Sequence, residues 1–226
     1  MAGEQDLKLM RLLRAIAEDD ERAIREALAQ EPSLARAALS EGASRADAAA
    51  FFLAPIGAYA YEGTTALHVA AAAHRPGIAQ ELLALGASAR AKDRRGCEPI
   101  HAAARSFPQG NGRASRSPRN GAAAGSPGSE RWDPRAQART IACLVDAGAD
   151  PNAPDKRGVL PLHVAARTRS AAAVAALLER GADPTRANKN GSTPLMLAKL
   201  STGRGGAGSP EAKAQQREIV RLLGAD

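Results

Sequence analysis

Apolar residues along this chain come in short bursts at helical spacing, separated by polar turns, and the bursts return at a fixed interval. Leu67, Ile100, Leu162 and Leu195 each open one burst, and Pro99, Pro161 and Pro194 stand immediately before three of them. Proline there suits the first turn of a helix, where the missing N–H would have no partner anyway. Ile78-Leu82-Leu83 and Val174-Leu177-Leu178 mark the buried face of a second helix. Gly86, Gly148 and Gly181 follow, where a helix C-terminus takes positive φ. The pattern predicts short paired helices joined by turns.

Two phrases keep step with this rhythm. The first reads Gly63-Thr64-Thr65-Ala66-Leu67-His68, then Gly96-Cys97-Glu98-Pro99-Ile100-His101, Gly158-Val159-Leu160-Pro161-Leu162-His163 and Gly191-Ser192-Thr193-Pro194-Leu195-Met196. Gly63 to Gly96 and Gly158 to Gly191 are each 33 residues, and Gly96 to Gly158 is 62, one period plus 29. The second reads Leu82-Leu83-Ala84-Leu85-Gly86-Ala87 and Leu177-Leu178-Glu179-Arg180-Gly181-Ala182, with Gly148-Ala149-Asp150 between. Self-similarity at this period means a stacked repeat array. Both phrases resemble the ankyrin repeat, and the resemblance covers most of residues 63–226. It implies an all-α solenoid of stacked helix pairs with β-turn fingers, whose surfaces bind partners and seldom carry chemistry. The Ala/Arg-rich composition further resembles bacterial ankyrin-repeat proteins, most of which lack an assigned activity.

Five units are expected. Residues 1–37 read as an N-terminal capping hairpin: Leu7, Met10, Leu13 and Ile16 keep helical spacing, Glu18-Asp19-Asp20 breaks it, and Ile24 and Leu28 resume it before Pro32. Lys8, Arg11, Arg14, Arg22 and Arg25 give it the polar face that an end unit needs. Residues 38–62 are an insertion holding Phe51, Phe52, Tyr59 and Tyr61, four of the chain's six aromatics. Repeats follow over 63–95, 96–157, 158–190 and 191–226. The second is interrupted by a Gly/Ser/Pro/Arg-rich stretch, 106–131, whose composition predicts disorder. The last is interrupted by the Gly-rich loop 201–209, with a helix restarting at Ser209-Pro210-Glu211.

Composition removes several function classes. No apolar run approaches the ~18 residues of a membrane span, and the N-terminal residues lack an export-signal pattern. Cys97 and Cys143 have no metal-ligand spacing and read as free thiols, so a cytoplasmic location is expected. His68, His101 and His163 occupy equivalent positions, but stacked helices lie ~8–10 Å apart whereas a shared zinc needs nitrogens at ~2.0–2.1 Å. Each imidazole is therefore expected to bond turn backbone or a neighbouring hydroxyl. Thr65 and Thr193 keep the hydroxyl of the tetrad; Glu98 and Leu160 do not, predicting looser turns there. Gly203, Gly205 and Gly208 spell G-x-G-x-x-G but follow a helix, not the strand that a dinucleotide site requires. No nucleophile elbow occurs. No catalytic residue, metal or cofactor is implied, and an enzyme is not expected.

The net charge of +7 changes the picture through its placement. Fingers at Lys92–Gly96, Asp155–Gly158 and Asn188–Gly191 align Arg94, Arg95, Lys156, Arg157 and Lys189 in one row, with Arg105, Arg167 and Arg169 behind them on the concave side. A row of like charge can be a plain solubilising surface, or it can steer an acidic partner. The function expected is a non-catalytic protein-binding module that takes a partner, acidic in character, on the face formed by fingers and first helices. The alternative is polyanion or nucleic-acid binding through Arg113, Arg116, Arg119 and Arg131 of the 106–131 insertion. Phe51, Phe52, Tyr59 and Tyr61 either pack the 38–62 loop onto the array or serve as secondary partner anchors.

Overall fold

The computed structural model describes residues 3–105, 133–200 and 210–224. Ten α-helices are seen among them: α1 (Glu4–Glu18), α2 (Glu21–Gln30), α3 (Ala66–Ala72), α4 (Pro76–Ala84), α5 (Pro99–Ala103), α6 (Pro134–Asp146), α7 (Pro161–Thr168), α8 (Ala171–Glu179), α9 (Pro194–Lys199) and α10 (Pro210–Leu222). Helices α4, α5, α6, α7, α9 and α10 all begin on proline, whose fixed φ is already helical. The stretches 106–132 and 201–209, which hold the Arg-rich insertion and the Gly-rich loop, lie outside the described residues.

The helices stack in two layers. Helices α1, α3, α5, α7 and α9 pack in succession, and α4, α6, α8 and α10 form the second row. Equivalent offsets become neighbours in consequence. Leu67, Ile100 and Leu162 of the first layer and Leu82, Leu144 and Leu177 of the second are all fully buried in one continuous core. The stack thins at its far end, where Leu195 is half-buried and Met196 is 57% exposed.

The capping hairpin forms where the polar break predicts. Asp19 takes a left-handed φ of 65° at the end of α1, and the Asp20 carboxylate accepts the Ala23 amide 3.0 Å away at the start of α2. Leu7 departs from the expected stripe and is 56% exposed. The buried face of α1 instead runs through Leu9, Leu12, Leu13 and Ile16, because α3 and the insertion cover it from two sides.

Residues 38–62 fold into a hairpin of two short antiparallel strands, β1 (Phe52–Leu53) and β2 (Ala58–Tyr59), closed by a 3-10 turn through Ala54–Ile56. What holds this segment in place is a carboxylate. Asp6 of α1, buried, accepts the Ser40 amide at 3.1 Å, the Ser40 hydroxyl at 2.7 Å and the Glu41 amide at 3.1 Å. Asp6→Ala leaves those donors without an acceptor and is expected to cost roughly 1–3 kcal/mol. Urea denaturation of the variant checks this, and a loss below about 0.5 kcal/mol would show water replacing the carboxylate at no penalty.

Candidate partner-binding groove

Each finger is a four-residue turn organised by its first side chain. The Asp93 carboxylate accepts the amides of Arg95 and Cys97 at 2.8 and 2.9 Å. Asp155 does the same for Arg157 and Val159, both at 2.8 Å, and the Asn188 amide oxygen for Asn190 and Ser192 at 2.9 and 3.1 Å. Such side chains stabilise a turn by bonding backbone two residues on. Successive fingers are tied edge to edge: Arg94 N–H donates to Glu62 O, Lys156 N–H to Arg95 O and Lys189 N–H to Arg157 O. Gly158 illustrates why the turn ends on glycine. Its φ is 72°, and a Cβ there would sit 2.9 Å from the backbone nitrogen of Lys189 on the next finger.

The tetrad histidines connect units in the same direction. His68 Nε2 lies 3.0 Å from Cys97 O, His101 Nε2 3.1 Å from Val159 O, and His163 Nε2 2.8 Å from Ser192 O. Each carbonyl belongs to the following unit. On the other side of the ring, Nδ1 accepts a backbone N–H from Thr65, Glu98 and Leu160 respectively. A ring that accepts at Nδ1 and donates at Nε2 is a neutral imidazole of one tautomer. All three rings are buried, and burial is the main cause that holds their pKa values below the ordinary 6.5. At Glu98 and Leu160 the backbone N–H bond to the ring is kept, whereas Thr65 adds a hydroxyl 2.9 Å from Nδ1. Thr193 caps α9 by accepting the Met196 amide. Among the described residues no cluster of His, Cys, Asp or Glu gathers to hold a metal.

Fingers and first helices together wall a groove of about 780 Å³. Arg95, Lys156 and Arg157 reach it from the fingers, and Arg105 and Arg167 from the ends of α5 and α7. Tyr59 and Tyr61 line it from the insertion, so part of each of the two sets of residues read separately in the sequence lines one groove. Tyr61 is clasped by two guanidiniums, Arg94 at 4.8 Å and Arg95 at 4.3 Å from the ring centre. Phe51 and Phe52 lie elsewhere: Phe51 packs on the core, and Phe52 leans against Tyr59 with ring centres 4.8 Å apart. Three further residues of the basic set are not among the groove's walls. Arg94 covers Tyr61, the Lys189 ammonium donates to Lys156 O at 3.0 Å, and Arg169 sits with φ 60° in the turn between α7 and α8.

Charge in the groove is unbalanced. The Asp93 carboxylate is engaged by the finger amides and by Arg95 at 3.1 Å, and Asp155 by its own finger amides. Among the described residues no carboxylate lies within ion-pair distance of Arg105, Lys156, Arg157 or Arg167. Burial, then the neighbouring Arg95 charge, pulls the Arg105 pKa below its ordinary value. Two half-buried side chains complete the back wall: Ala102, and Cys97, whose thiol is pushed up to about 11 by burial. Arg105, read from the sequence as a concave-side residue, lines the groove just past the five-residue helix α5. Its orientation is supported by bonds on the carbonyl side, where Arg105 O accepts from His74 Nε2 at 3.0 Å and from the Gln137 side-chain amide at 3.2 Å.

Residues 62–94 match the family model of the ankyrin repeat, and residues 144–198 match that of ankyrin repeats in many copies. The stacked helix pairs, the fingers and these matches agree: the chain is an ankyrin-repeat protein. A comparison with curated proteins found no match. Ankyrin repeats are generally protein–protein interaction modules and typically non-catalytic. Among the described residues no helix is long and apolar enough to cross a membrane.

Proposed function

We propose that the protein is a non-catalytic binding module that captures an acidic protein partner in the groove between fingers and first helices. The observation that carries this reading is the excess of cations there: five line the groove against two carboxylates, and both carboxylates are already engaged by the fingers. Like charges held close raise the energy of the free protein, and an anionic partner relieves that repulsion while being steered to it. Arg94 and Lys189, on the outer edge of the same fingers, extend the positive field beyond the groove. A cytoplasmic setting belongs to the same proposal and accords with the two free thiols. The alternative seat for a polyanion, the 106–131 stretch, lies outside the described residues.

Replacing Arg94, Arg157 and Lys189 together by Glu is expected to abolish partner capture in a pulldown from the native cell and to leave the circular-dichroism spectrum unchanged. All three side chains are exposed, and the reversal removes surface contacts, Arg94 on Tyr61 and Lys189 on Lys156 O, but no core packing. Capture that survives the triple reversal, at unchanged salt, would remove the finger face from consideration.

A further inference from the structure

We infer that the end of the groove walled by the insertion hairpin is a pocket for one apolar side chain, and that the ligand class is a short acidic peptide segment with such an anchor. This deepens the proposed binding function and rests on it. Three observations converge. First, the hairpin contributes apolar lining to the groove: Leu53, Ile56, Ala58 and Tyr59 line it together with Val69 and Ala72 of α3. Ala58, Tyr59 and Ala72 are only half-buried, so apolar surface there still meets solvent. Second, Arg105 and Arg167, which no carboxylate pairs among the described residues, line the same groove, so carboxylates flanking an anchor would find partners within it. Third, the wall is fixed in advance. Asp6 ties the start of the insertion to α1, and Tyr61 at its end is held under two guanidiniums. A preorganised wall spares the ordering cost that binding otherwise carries.

The whole groove, about 780 Å³, lies in the range of ligand-binding clefts, large enough for an anchor together with its flanking segment and too small for a folded domain. A purely charged strand would use the cations and leave the wall wet. An anchored one uses both, and that difference is the measurable content of the inference.

The test is fluorescence anisotropy on the full chain with three labelled probes: Asp-Glu-Asp-Phe-Asp-Glu-Asp, the same peptide with Ser for Phe, and an oligouridylate of similar charge. The Phe peptide is expected to bind about tenfold more tightly than the Ser peptide, the advantage of burying one such side chain. Ala72→Met, which fills the wall without changing charge, should erase that advantage while the Ser peptide binds as before, and this retained binding reports an intact fold. Arg167→Gln should weaken both peptides by several-fold. Equal binding of the two peptides overturns the anchor pocket and leaves the acidic-partner reading standing. Binding of oligouridylate with neither peptide overturns both.

Discussion

Acidifying the protein from about pH 7.5 to about pH 5.5 is expected to lower its unfolding free energy, by on the order of 1 kcal/mol through His74 alone, with His68, His101 and His163 acting in the same direction. All four are buried. His68, His101 and His163 bridge consecutive units as neutral rings, and His74 donates from Nε2 to Ala103 O and Arg105 O. Burial is the leading cause that lowers each pKa, and for His74 it does so to about 4. The sign follows directly. The unfolded chain takes up protons as pH falls through the ordinary 6.5, while the folded chain does not. Stability is therefore complete above that value and declines below it, levelling for His74 only near 4. Glu98 works in the opposite direction, because its carboxyl is buried and its pKa raised, chiefly by that burial, so acid favours its folded form. It is one group against four, and its stabilising effect is complete only below its ordinary 4.5, outside the window. Urea denaturation at stepped pH measures the effect. A flat stability profile across this range would mean that water and protons reach the rings in the folded state.

The second large effect is mechanical. Leu177→Ala should cost roughly 2–5 kcal/mol, the range for a fully enclosed leucine whose neighbours cannot close the gap. Leu177 is 0% exposed, and α8 is packed between α6 and α10 with α7 beneath. In a stacked array stability is shared between neighbouring interfaces, so an interior cavity weakens both sides at once. Leu195→Ala provides the comparison within the same chain. Leu195 is the counterpart of the buried Leu162 in the first repeat phrase but lies half-buried at the end of the stack, and its loss should be well below that of Leu177. Denaturant midpoints of the two variants decide the matter, and equal losses would contradict the layered core described above.

Periodicity made the repeat core legible because each unit solves the same packing problem with the same letters. Leu82 and Leu177 could be equated before any coordinates were known, and so could His68, His101 and His163 as hydrogen-bonding rather than metal-binding residues. The partners of those rings were less legible. A backbone carbonyl of the following unit has no signature in sequence, and neither does the backbone N–H that each ring accepts at Nδ1. The charge row was visible as spacing: Arg105 and Arg167 each stand 9 residues past a finger glycine, and both line the groove. Arg169 stands 11 past its own and caps α7 in a left-handed turn.

Sequence alone determined the repeating helix pairs, the fingers and the sign of the charge they carry, because local propensity and a 33-residue period act within one unit and its neighbour. Tertiary structure alone decided that residues 38–62 wall the groove, that Asp6 anchors them across 34 residues of chain, and that Tyr61 meets Arg94 and Arg95. An insertion has no period to borrow. Its place is set by which distant groups satisfy its backbone and cover its apolar side, and those contacts exist only once the stack has formed.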